Sequence, residues 1–366
     1  MPDSLDAPRL LERLQETLDA EVSHQRDVLA PLGGQTDLML DAVATLLRGG
    51  KRVRASFLYW GYRAAGGADS DALVRCAASM ELFQAAALLH DDVMDASDTR
   101  RGMPAAHRAM AAAHRSRGLD GDADRFGEAG AILAGDLCLT WADEMYATSG
   151  LPADEVARGR AVFDLMRTQL MGGQFLDVLE ASTPWATMGT PERIERALRV
   201  IRFKSAKYTM EHPLLIGAAS AGASPHVTQA LSQYGLALGE AYQLRDDLLG
   251  VFGDPAQTGK PAGDDLREGK RTVLVAHLLD AAGDEPEVGT FFAERFGHDD
   301  LHEDEDEVER IRVLARESGA VDAVEARIAE GAQRARAALD GVRSQVPVDA
   351  YAALEAFIES TTARTF

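Results

Sequence analysis

Residues 70–102 read SDALVRCAASMELFQAAALLHDDVMDASDTRRG, and this stretch predicts both a fold and a chemistry. Its apolar residues recur at the three- and four-residue spacing of an α-helix. A stripe at successive steps of four and three residues follows one face of that helix: Leu73, Ala77, Met80, Gln84, Ala87 and, at the next step, Asp91. The pattern predicts a long core helix over 70–96 whose buried face ends in carboxylates.

The rest of the chain has the same helical pattern. Segments rich in Ala, Leu, Glu and Arg are separated by Gly and Pro breaks, and runs of alternating β-branched residues are missing. These features predict an all-α fold, with one large helical domain over residues 1–366. The predicted helices are 7–29, 37–48, 70–96, 125–148, 153–180, 225–251 and 320–340. The predicted loops are 114–128, 252–270 and an acidic surface loop at 283–307.

The charge balance is strongly acidic, since 38 Lys and Arg against 59 Asp and Glu give a formal net charge of −21. Such a surface repels nucleic acid, so no nucleic-acid partner is expected, and an anionic ligand would need local cations. The acidic first residues lack the pattern of a signal peptide, and no run approaches the roughly 20 apolar residues of a membrane span, so stable membrane insertion is not expected. Cys76 and Cys138 lie in apolar helical stretches and are predicted to be buried thiols, which favours a cytoplasmic protein.

The first chemical motif is the carboxylate end of the stripe. Asp91 and Asp95 are four residues apart and share a helix face, and Asp92 adjoins them. Carboxylates in that position need a counter-ion, and a few hard oxygen ligands suit Mg²⁺, which also bridges to substrate phosphates. Arg100 and Arg101 follow, and their guanidinium forks match phosphate oxygens. The segment therefore predicts a magnesium and phosphate site.

A second motif of the same kind lies about 150 residues further on. Gln243 and Asp247 are four residues apart on a predicted helix, with Asp246 adjoining, and the Gly- and Pro-rich loop after them carries Lys260 and Lys270. Two carboxylate clusters facing one cavity could bind a shared diphosphate through several Mg²⁺ ions. The alternative for this segment is an ordinary acidic helix end followed by a solvated loop.

In this order and spacing, the two motifs resemble the aspartate-rich motifs of trans-isoprenyl diphosphate synthases, the polyprenyl synthetase family. The resemblance spans most of the chain, from residue 49 to about 275. RGGKRVR (48–54), MGGQFLD (171–177) and FKSAKYT (203–209) resemble three further motifs of that family. The resemblance implies an isoprenoid synthase-like helical bundle around a central cavity, a geranylgeranyl diphosphate synthase-like activity, three Mg²⁺ ions per site and a homodimer.

The resemblance also implies a role for each motif residue. The residues expected to bind isopentenyl diphosphate are Lys51, Arg54, Gln84 and Arg101. Those expected to bind the allylic diphosphate are Arg100, Lys204, Ser205, Gln243, Lys260 and Lys270, with Gln174 and Asp177 near the reacting centre. The implied metal ligands are Asp91, Asp92, Asp95, Asp246 and Asp247. Only five basic residues are lysines, and all but Lys207 fall on these positions.

The chain departs from the family pattern at three positions. Gln84 stands where many members have histidine, and Ser205 replaces threonine but keeps the hydroxyl. The second motif ends in Gly250 where a third aspartate is usual, which puts the ligand set of the third metal ion in doubt. Asp254 is one residue that could compensate.

The reaction implied by the resemblance joins two diphosphates. An allylic diphosphate ionises when Mg²⁺ and cations neutralise the leaving group, and the double bond of isopentenyl diphosphate then attacks the allylic carbon. The proton is expected to leave to the departing diphosphate, so no histidine base is required and His90 is expected to be structural.

Two other classes of protein share part of this pattern. A class I terpene cyclase would need Ser or Thr and then Glu at the positions of Gly250 and Asp254. A non-catalytic regulatory subunit of a prenyl synthase would not need to retain the aspartates and lysines that this chain keeps.

Product length is expected to depend on the helix face below Asp91. Ala87 lies about 6 Å below it and Met80 about 16 Å below it. Ala86 and Ala87 stand where short-chain members carry an aromatic residue, so Phe83 and Met80 are the nearest bulky candidates for a floor. This favours a product near C20 over C15, with C25 or longer as the alternative.

Overall fold

The computed structural model describes residues 9–253, 263–281, 292, 296 and 305–362. Helices make up most of these residues, which confirms the predicted all-α fold. The α-helices are Leu10–Leu29, Asp37–Leu46, Val53–Ala64, Asp71–Met94, Ala106–Ser116, Ala123–Ala147, Ala153–Ala181, Thr190–Val200, His212–Ser220, Pro225–Phe252, Asp264–Arg267, Val273–Ala281, Glu305–Glu317, Ala320–Asp340 and Val348–Thr362. A π-helix, Ile201–Glu211, and three short 3₁₀ turns complete the helical elements of the described ranges: Ala30–Leu32, Gly34–Thr36 and Trp185–Thr187.

The seven predicted helices agree with the observed boundaries to within three residues. The predicted loop 114–128 is too long, because the connection between the flanking helices covers only residues 117–122. Its end is fixed by Asp122, whose side chain accepts hydrogen bonds from the backbone N–H groups of Asp124 at 2.9 Å and Arg125 at 3.2 Å. This N-cap satisfies donors that the first helical turn would otherwise leave unpaired.

The other two predicted loops lie partly outside the described residues. Of 252–270, the described part holds the short helix Asp264–Arg267. Most of the acidic segment 283–307 is not described, but its last three residues form the first turn of helix Glu305–Glu317, so the prediction of a loop is wrong there.

A two-stranded antiparallel hairpin, hereafter the arginine hairpin, joins Thr99–Arg100 to Met103–Pro104. It is the only strand pairing in the described part of the chain. Its turn residues Arg101 and Gly102 both have left-handed backbone conformations, with φ of 53° and 73°. A tight two-residue hairpin turn needs positive φ, which is why glycine follows the two arginines.

Backbone contacts divide the chain into two compact units. The first unit comprises Met1–Gly159 and Gly217–Gly222, and the second comprises Arg160–Ile216 and Ala223–Phe366. The single domain expected from the sequence remains a prediction.

In the first unit, helix Asp71–Met94, hereafter the first aspartate helix, packs closely on helix Ala123–Ala147. A Cβ atom at Gly135 would lie 2.2 Å from Nε2 of His90, so any larger residue there would require the His90 ring to move. The same His90 nitrogen donates a hydrogen bond to the carbonyl oxygen of Ile132 at 3.1 Å. His90 therefore joins two helices, in agreement with the structural role expected of it.

The first aspartate helix is also the one described helix that is long and apolar enough to cross a membrane, with a mean hydropathy of 1.4 over 18 residues. The statement from sequence that no run approaches a membrane span is too strong for this helix. However, 72% of that window is buried inside the protein, as in a core helix. Cys76, on this helix, and Cys138 are both free and buried, as predicted.

In the second unit, helix Pro225–Phe252, hereafter the second aspartate helix, packs on the π-helix Ile201–Glu211. Glycines permit the close approach, since a Cβ at Gly239 would lie 2.8 Å from Cα of Ala206. π-Helical turns are rare and are found frequently at functional sites. Here the π-helix carries Lys204, Ser205 and Lys207.

Candidate active site

The first aspartate helix is capped by Ser70 before its first residue and by Asp95, which is exposed, after its last. Asp91 is partly exposed, whereas Asp92 is buried and points to the arginine hairpin. The Nε atom of Arg100 donates to Oδ1 of Asp92 at 2.8 Å, and its Nη2 lies 3.8 Å from Oδ2 of Asp91. The predicted ligands therefore occupy two environments, because Asp92 holds Arg100 while Asp91 and Asp95 lie on the more exposed side.

Arg101, on the same hairpin, lies among other cations. Burial is the largest cause that lowers the pKa of its guanidinium. The positive charges of Arg52, Arg100 and Arg54 lower this pKa further. Such a concentration of positive charge suits a polyanionic ligand. The structure thus brings together two of the residues predicted to bind isopentenyl diphosphate, Arg54 and Arg101.

Arg101 is held against the glycine-rich segment that precedes Lys51. Its Nη1 donates to the carbonyl oxygens of Leu46 at 3.2 Å and Arg48 at 3.4 Å. A Cβ at Gly50, whose φ is 90°, would lie 3.3 Å from the Arg101 guanidinium. Lys51 itself is exposed, and Gln84 is half-buried.

Arg52 is a structural residue that the sequence analysis missed. It is buried, and its Nη1 donates to Oε2 of buried Glu81 at 3.1 Å, while its Nη2 donates to Oε1 of Gln15 at 2.6 Å. Gln15 also accepts from the backbone N–H of Gly49 at 3.3 Å. These contacts fix the segment that carries Lys51 and Arg54. The sequence signal was Glu81, a glutamate flanked by Met80 and Leu82 on the first aspartate helix.

In the second unit, Lys204 and Asp177 form an ion pair, with 2.5 Å between Nζ and Oδ2. Asp177 lies on helix Ala153–Ala181, which approaches the π-helix at Gly173, where a Cβ would lie 2.5 Å from the backbone nitrogen of Lys204. Gly173 of the 171–177 motif thus allows this helix to lie close to the π-helix. Gln174, three residues before Asp177, and Ser205, next to Lys204, are both half-buried.

Lys207, which had no assigned role, pairs with Glu211 at 2.7 Å. Glu211 is buried and also accepts a hydrogen bond from Oγ of Ser232 at 2.7 Å. This ion pair within the π-helix neutralises a buried carboxylate, which indicates a structural role for Lys207.

The second aspartate helix presents Gln243, Asp246 and Asp247 near its end. Nε2 of Gln243 donates to Oδ1 of Asp247 at 2.8 Å, as the four-residue spacing predicts. Asp247 is buried, and burial followed by the charge of Asp265 raises its pKa to about 7. The amide of Gln243 and the charge of Lys270 act in the opposite direction.

Lys270 lies on the segment that follows this helix. Its Nζ is 2.9 Å from Oδ1 of Asp265 and 2.7 Å from Oε2 of Glu268. These carboxylates raise the pKa of Lys270 well above its usual value, against the effect of burial. Lys260 and Asp254 lie outside the described residues.

The chain-length candidates have different environments. Met80, Phe83 and Ala86 are fully buried, whereas Ala87 is partly exposed on the Asp91 side of the helix. Ala87 is therefore the candidate that lies on the accessible face directly below the carboxylates.

The carboxylates can be compared with the needs of a magnesium ion. In the described part of the chain, no group of three or more His, Cys, Asp or Glu side chains is arranged to hold a metal ion by itself. Mg²⁺ in phosphate-binding enzymes, however, is bound through one or two carboxylates together with substrate phosphates and water. Each aspartate helix supplies two such carboxylates. They are Asp91 and Asp95 on the first helix, and Asp246 and Asp247 on the second.

The chain is similar to known proteins over most of its length. The polyprenyl synthetase family profile matches residues 36–312. Over 307 residues, the chain is 34% identical to a geranylfarnesyl diphosphate synthase of Aeropyrum pernix, covering 82% of this chain and 86% of the relative. A geranylgeranyl diphosphate synthase of Methanosarcina mazei is 32% identical over 69% of this chain and 71% of its own.

A solved structure has the same fold. The geranylgeranyl pyrophosphate synthase of Corynebacterium glutamicum, complexed with isoprenyl diphosphate and magnesium, superposes with a TM-score of 0.90 at 40% identity. The match covers 98% of this chain and 99% of that one.

Proposed function

The chain belongs to the polyprenyl synthetase family and is a prenyltransferase, and from that premise we propose a specific reaction for it. It condenses isopentenyl diphosphate with an allylic diphosphate (dimethylallyl, geranyl or farnesyl) head to tail, and gives a trans-prenyl diphosphate near C20 with release of diphosphate. One observation carries the proposal: each aspartate helix ends beside basic side chains, Arg100 in one unit and Lys270 in the other.

The basic residues of the chain bind and orient the two diphosphates. Arg101, Arg54 and Lys51 hold isopentenyl diphosphate, while Arg100, Lys204 and Lys270 hold the allylic diphosphate. The ion pairs with Asp92 and Asp177 keep Arg100 and Lys204 in fixed positions before substrate binds. Preorganised cations stabilise the charge that develops on the departing diphosphate without further rearrangement.

Magnesium is the cofactor of this proposal. Asp91 and Asp95 would hold it on the first aspartate helix, and Asp246 and Asp247 on the second, with three ions per site in total. When bound, magnesium neutralises the diphosphate leaving group. The proton released in the condensation passes to the departing diphosphate, so the reaction requires no histidine base.

The product length follows from the helix face below Asp91. Ala87 is the small, partly exposed residue there, and it leaves the first turn open to a growing prenyl chain. A C20 product is supported by the 40% identity to a geranylgeranyl pyrophosphate synthase. A C25 product is the second candidate, because a geranylfarnesyl diphosphate synthase is 34% identical over 82% of this chain.

The active form is proposed to be a cytoplasmic homodimer. Two helices expose large apolar side chains to solvent: Phe126, Ile132 and Leu133 on helix Ala123–Ala147, and Leu165, Met171, Phe175, Val178 and Leu179 on helix Ala153–Ala181. Exposed apolar residues grouped on one helix favour a protein interface. A cytoplasmic location is supported by the two free thiols.

The deciding experiment incubates purified protein with Mg²⁺, isopentenyl diphosphate and each allylic primer in turn, and identifies products by mass. A C20 diphosphate is expected. Farnesyl or geranylgeranyl diphosphate alone should yield no hydrocarbon, and a cyclised product would instead indicate a terpene cyclase. Absence of any product, in a folded protein, would favour a regulatory subunit.

A further inference from the structure

The π-helix Ile201–Glu211 has a different register from the α-helices around it. At its end, the backbone N–H of His212 donates to the carbonyl oxygen of Lys207, five residues before it, where an α-helix would use the fourth. An α-helix turns by about 100° per residue, so residues five apart lie about 140° apart around its axis. In the wider π turn, residues five apart lie close to one face.

The packing of the second aspartate helix matches this π register. Its residues Gly235 and Gly239 are four apart and share a face. A Cβ at Gly235 would lie 2.7 Å from Cα of Glu211, and one at Gly239 would lie 2.8 Å from Cα of Ala206. One α turn of the second aspartate helix therefore meets one π turn, from Ala206 to Glu211. An α register over the same residues would turn one of these two contacts away.

Glu211, the last residue of the π-helix, is held by its side chain as well. Its carboxylate is buried, with Oε1 accepting from Oγ of Ser232 at 2.7 Å and Oε2 accepting from Nζ of Lys207 at 2.7 Å. Ser232 lies three residues before Gly235, so both reach Glu211 from one face of the second aspartate helix. The carboxylate cannot turn away without leaving a buried charge unpaired. Glu211 therefore fixes the rotation of the π-helix at its end.

Lys204 lies seven residues before Glu211 and contacts a different helix, Ala153–Ala181. Its Nζ pairs with Asp177, and its backbone nitrogen lies against Gly173. Over seven residues, an α register and a π register differ by more than about 100° in the direction of a side chain. A change of register that begins at Glu211 would therefore turn Lys204 away from Asp177.

We propose that Glu211 is a positioning residue for the prenyltransferase reaction, because it holds the π register that directs Lys204 to Asp177 and to the allylic diphosphate. The inference rests on the proposed function, in which Lys204 binds that diphosphate. Glu211 acts only through Lys204 in this role. The competing role for Glu211 is to contribute to stability alone, as a buried carboxylate paired with Lys207.

Glu21 provides a matched control for the loss of a buried glutamate. Its Oε2 is 2.9 Å from Nη2 of Arg75, and its Oε1 accepts from Nε2 of Gln25 at 2.8 Å. Like Glu211, it has one cationic and one neutral partner, but it belongs to helix Leu10–Leu29 in the other unit. Glu21→Gln and Glu211→Gln should both lower stability, and only the second should affect Lys204.

The first measurement follows Lys204 itself and requires no turnover. Lysine amines of the full chain are modified by reductive methylation for increasing times, and mass spectrometry gives the modified fraction of each lysine. Asp177→Asn removes the ion pair directly and sets the rate for a released Lys204. We expect Glu211→Gln to raise the rate of Lys204 modification about threefold or more, and Glu21→Gln to leave it nearly unchanged.

The second measurement separates the two substrates. In Glu211→Gln, kcat/KM for the allylic diphosphate should fall about tenfold, while KM for isopentenyl diphosphate stays within about twofold of wild type. The double variant Glu211→Gln/Lys204→Ala should lose no more than Lys204→Ala alone, because a residue that acts only through Lys204 then has nothing left to position. Circular dichroism monitors the fold of each variant.

Three results would each overturn the inference: unchanged modification of Lys204 in Glu211→Gln, an equal rise in KM for both diphosphates, or additive losses in the double variant. If Glu211→Gln does not fold, Ser232→Ala, which removes one of the donors to Glu211, takes its place in both measurements. A wild-type protein that forms no prenyl product would reject the proposed function, and the modification of Lys204 would still decide whether Glu211 positions it.

Discussion

Asp247→Asn should stabilise the metal-free protein, and should do so increasingly as the pH rises. Asp247 is buried beside Asp265, and its pKa rises from the ordinary 3.8 to about 7. The folded state therefore binds this proton more tightly than the unfolded state. The stability due to the protonated group is fully present below about pH 4 and is lost as the pH rises through about 7.

The magnitude follows from the size of this change. The pKa rises by roughly three units, and each unit is worth about 1.4 kcal/mol, so the ionised carboxylate costs about 4 kcal/mol of unfolding free energy above pH 7. Asparagine stays neutral, and its oxygen can still accept the hydrogen bond that Gln243 donates to Asp247. The difference in unfolding free energy between Asp247→Asn and wild type should grow by about 1.4 kcal/mol per pH unit between about pH 4 and 7.

The assay is urea denaturation followed by circular dichroism, in EDTA, at several pH values from 5 to 8.5. Asp27→Asn, which removes an exposed carboxylate from the first helix, controls for the general loss of negative charge. A stability difference between Asp247→Asn and wild type that is the same at every pH would refute the electrostatic explanation.

Three further predictions concern product, charge geometry and assembly. Ala87→Phe should shorten the main product by at least one C5 unit, measured by mass; an active variant with unchanged product would mean that the prenyl chain does not follow this helix face. Lys204→Arg should lower turnover about tenfold or more, because a planar guanidinium cannot reproduce the compact contact with Asp177, whereas Lys207→Arg should stay within about threefold. Equal turnover of the two lysine variants would contradict the difference in role. Leu133→Glu should halve the mass measured by light scattering, and an unchanged mass would place the interface elsewhere.

The helices could be predicted from the sequence because helical periodicity is a local property. The stripe that ends at Asp91 and the spacing of Gln243 and Asp247 are both set within a few residues, and the structure keeps both. The family motifs could be recognised for the same reason, since each is a short segment. The limits of loop 114–128 were wrong because one side chain, Asp122, starts a helix earlier than composition indicates.

The pairings within the site were decided only by the tertiary structure. Arg52 meets Glu81, Lys204 meets Asp177, and Asp265 fills the space over Gly250. Each contact joins residues that are distant along the chain, and its existence depends on where one helix lies on another. A sequence pattern specifies which residues share a face, but a few ångströms of helix packing decide which charge each of them meets. For that reason the sequence could identify the missing aspartate at position 250, and only the folded chain could show that the Asp265 side chain lies beside it.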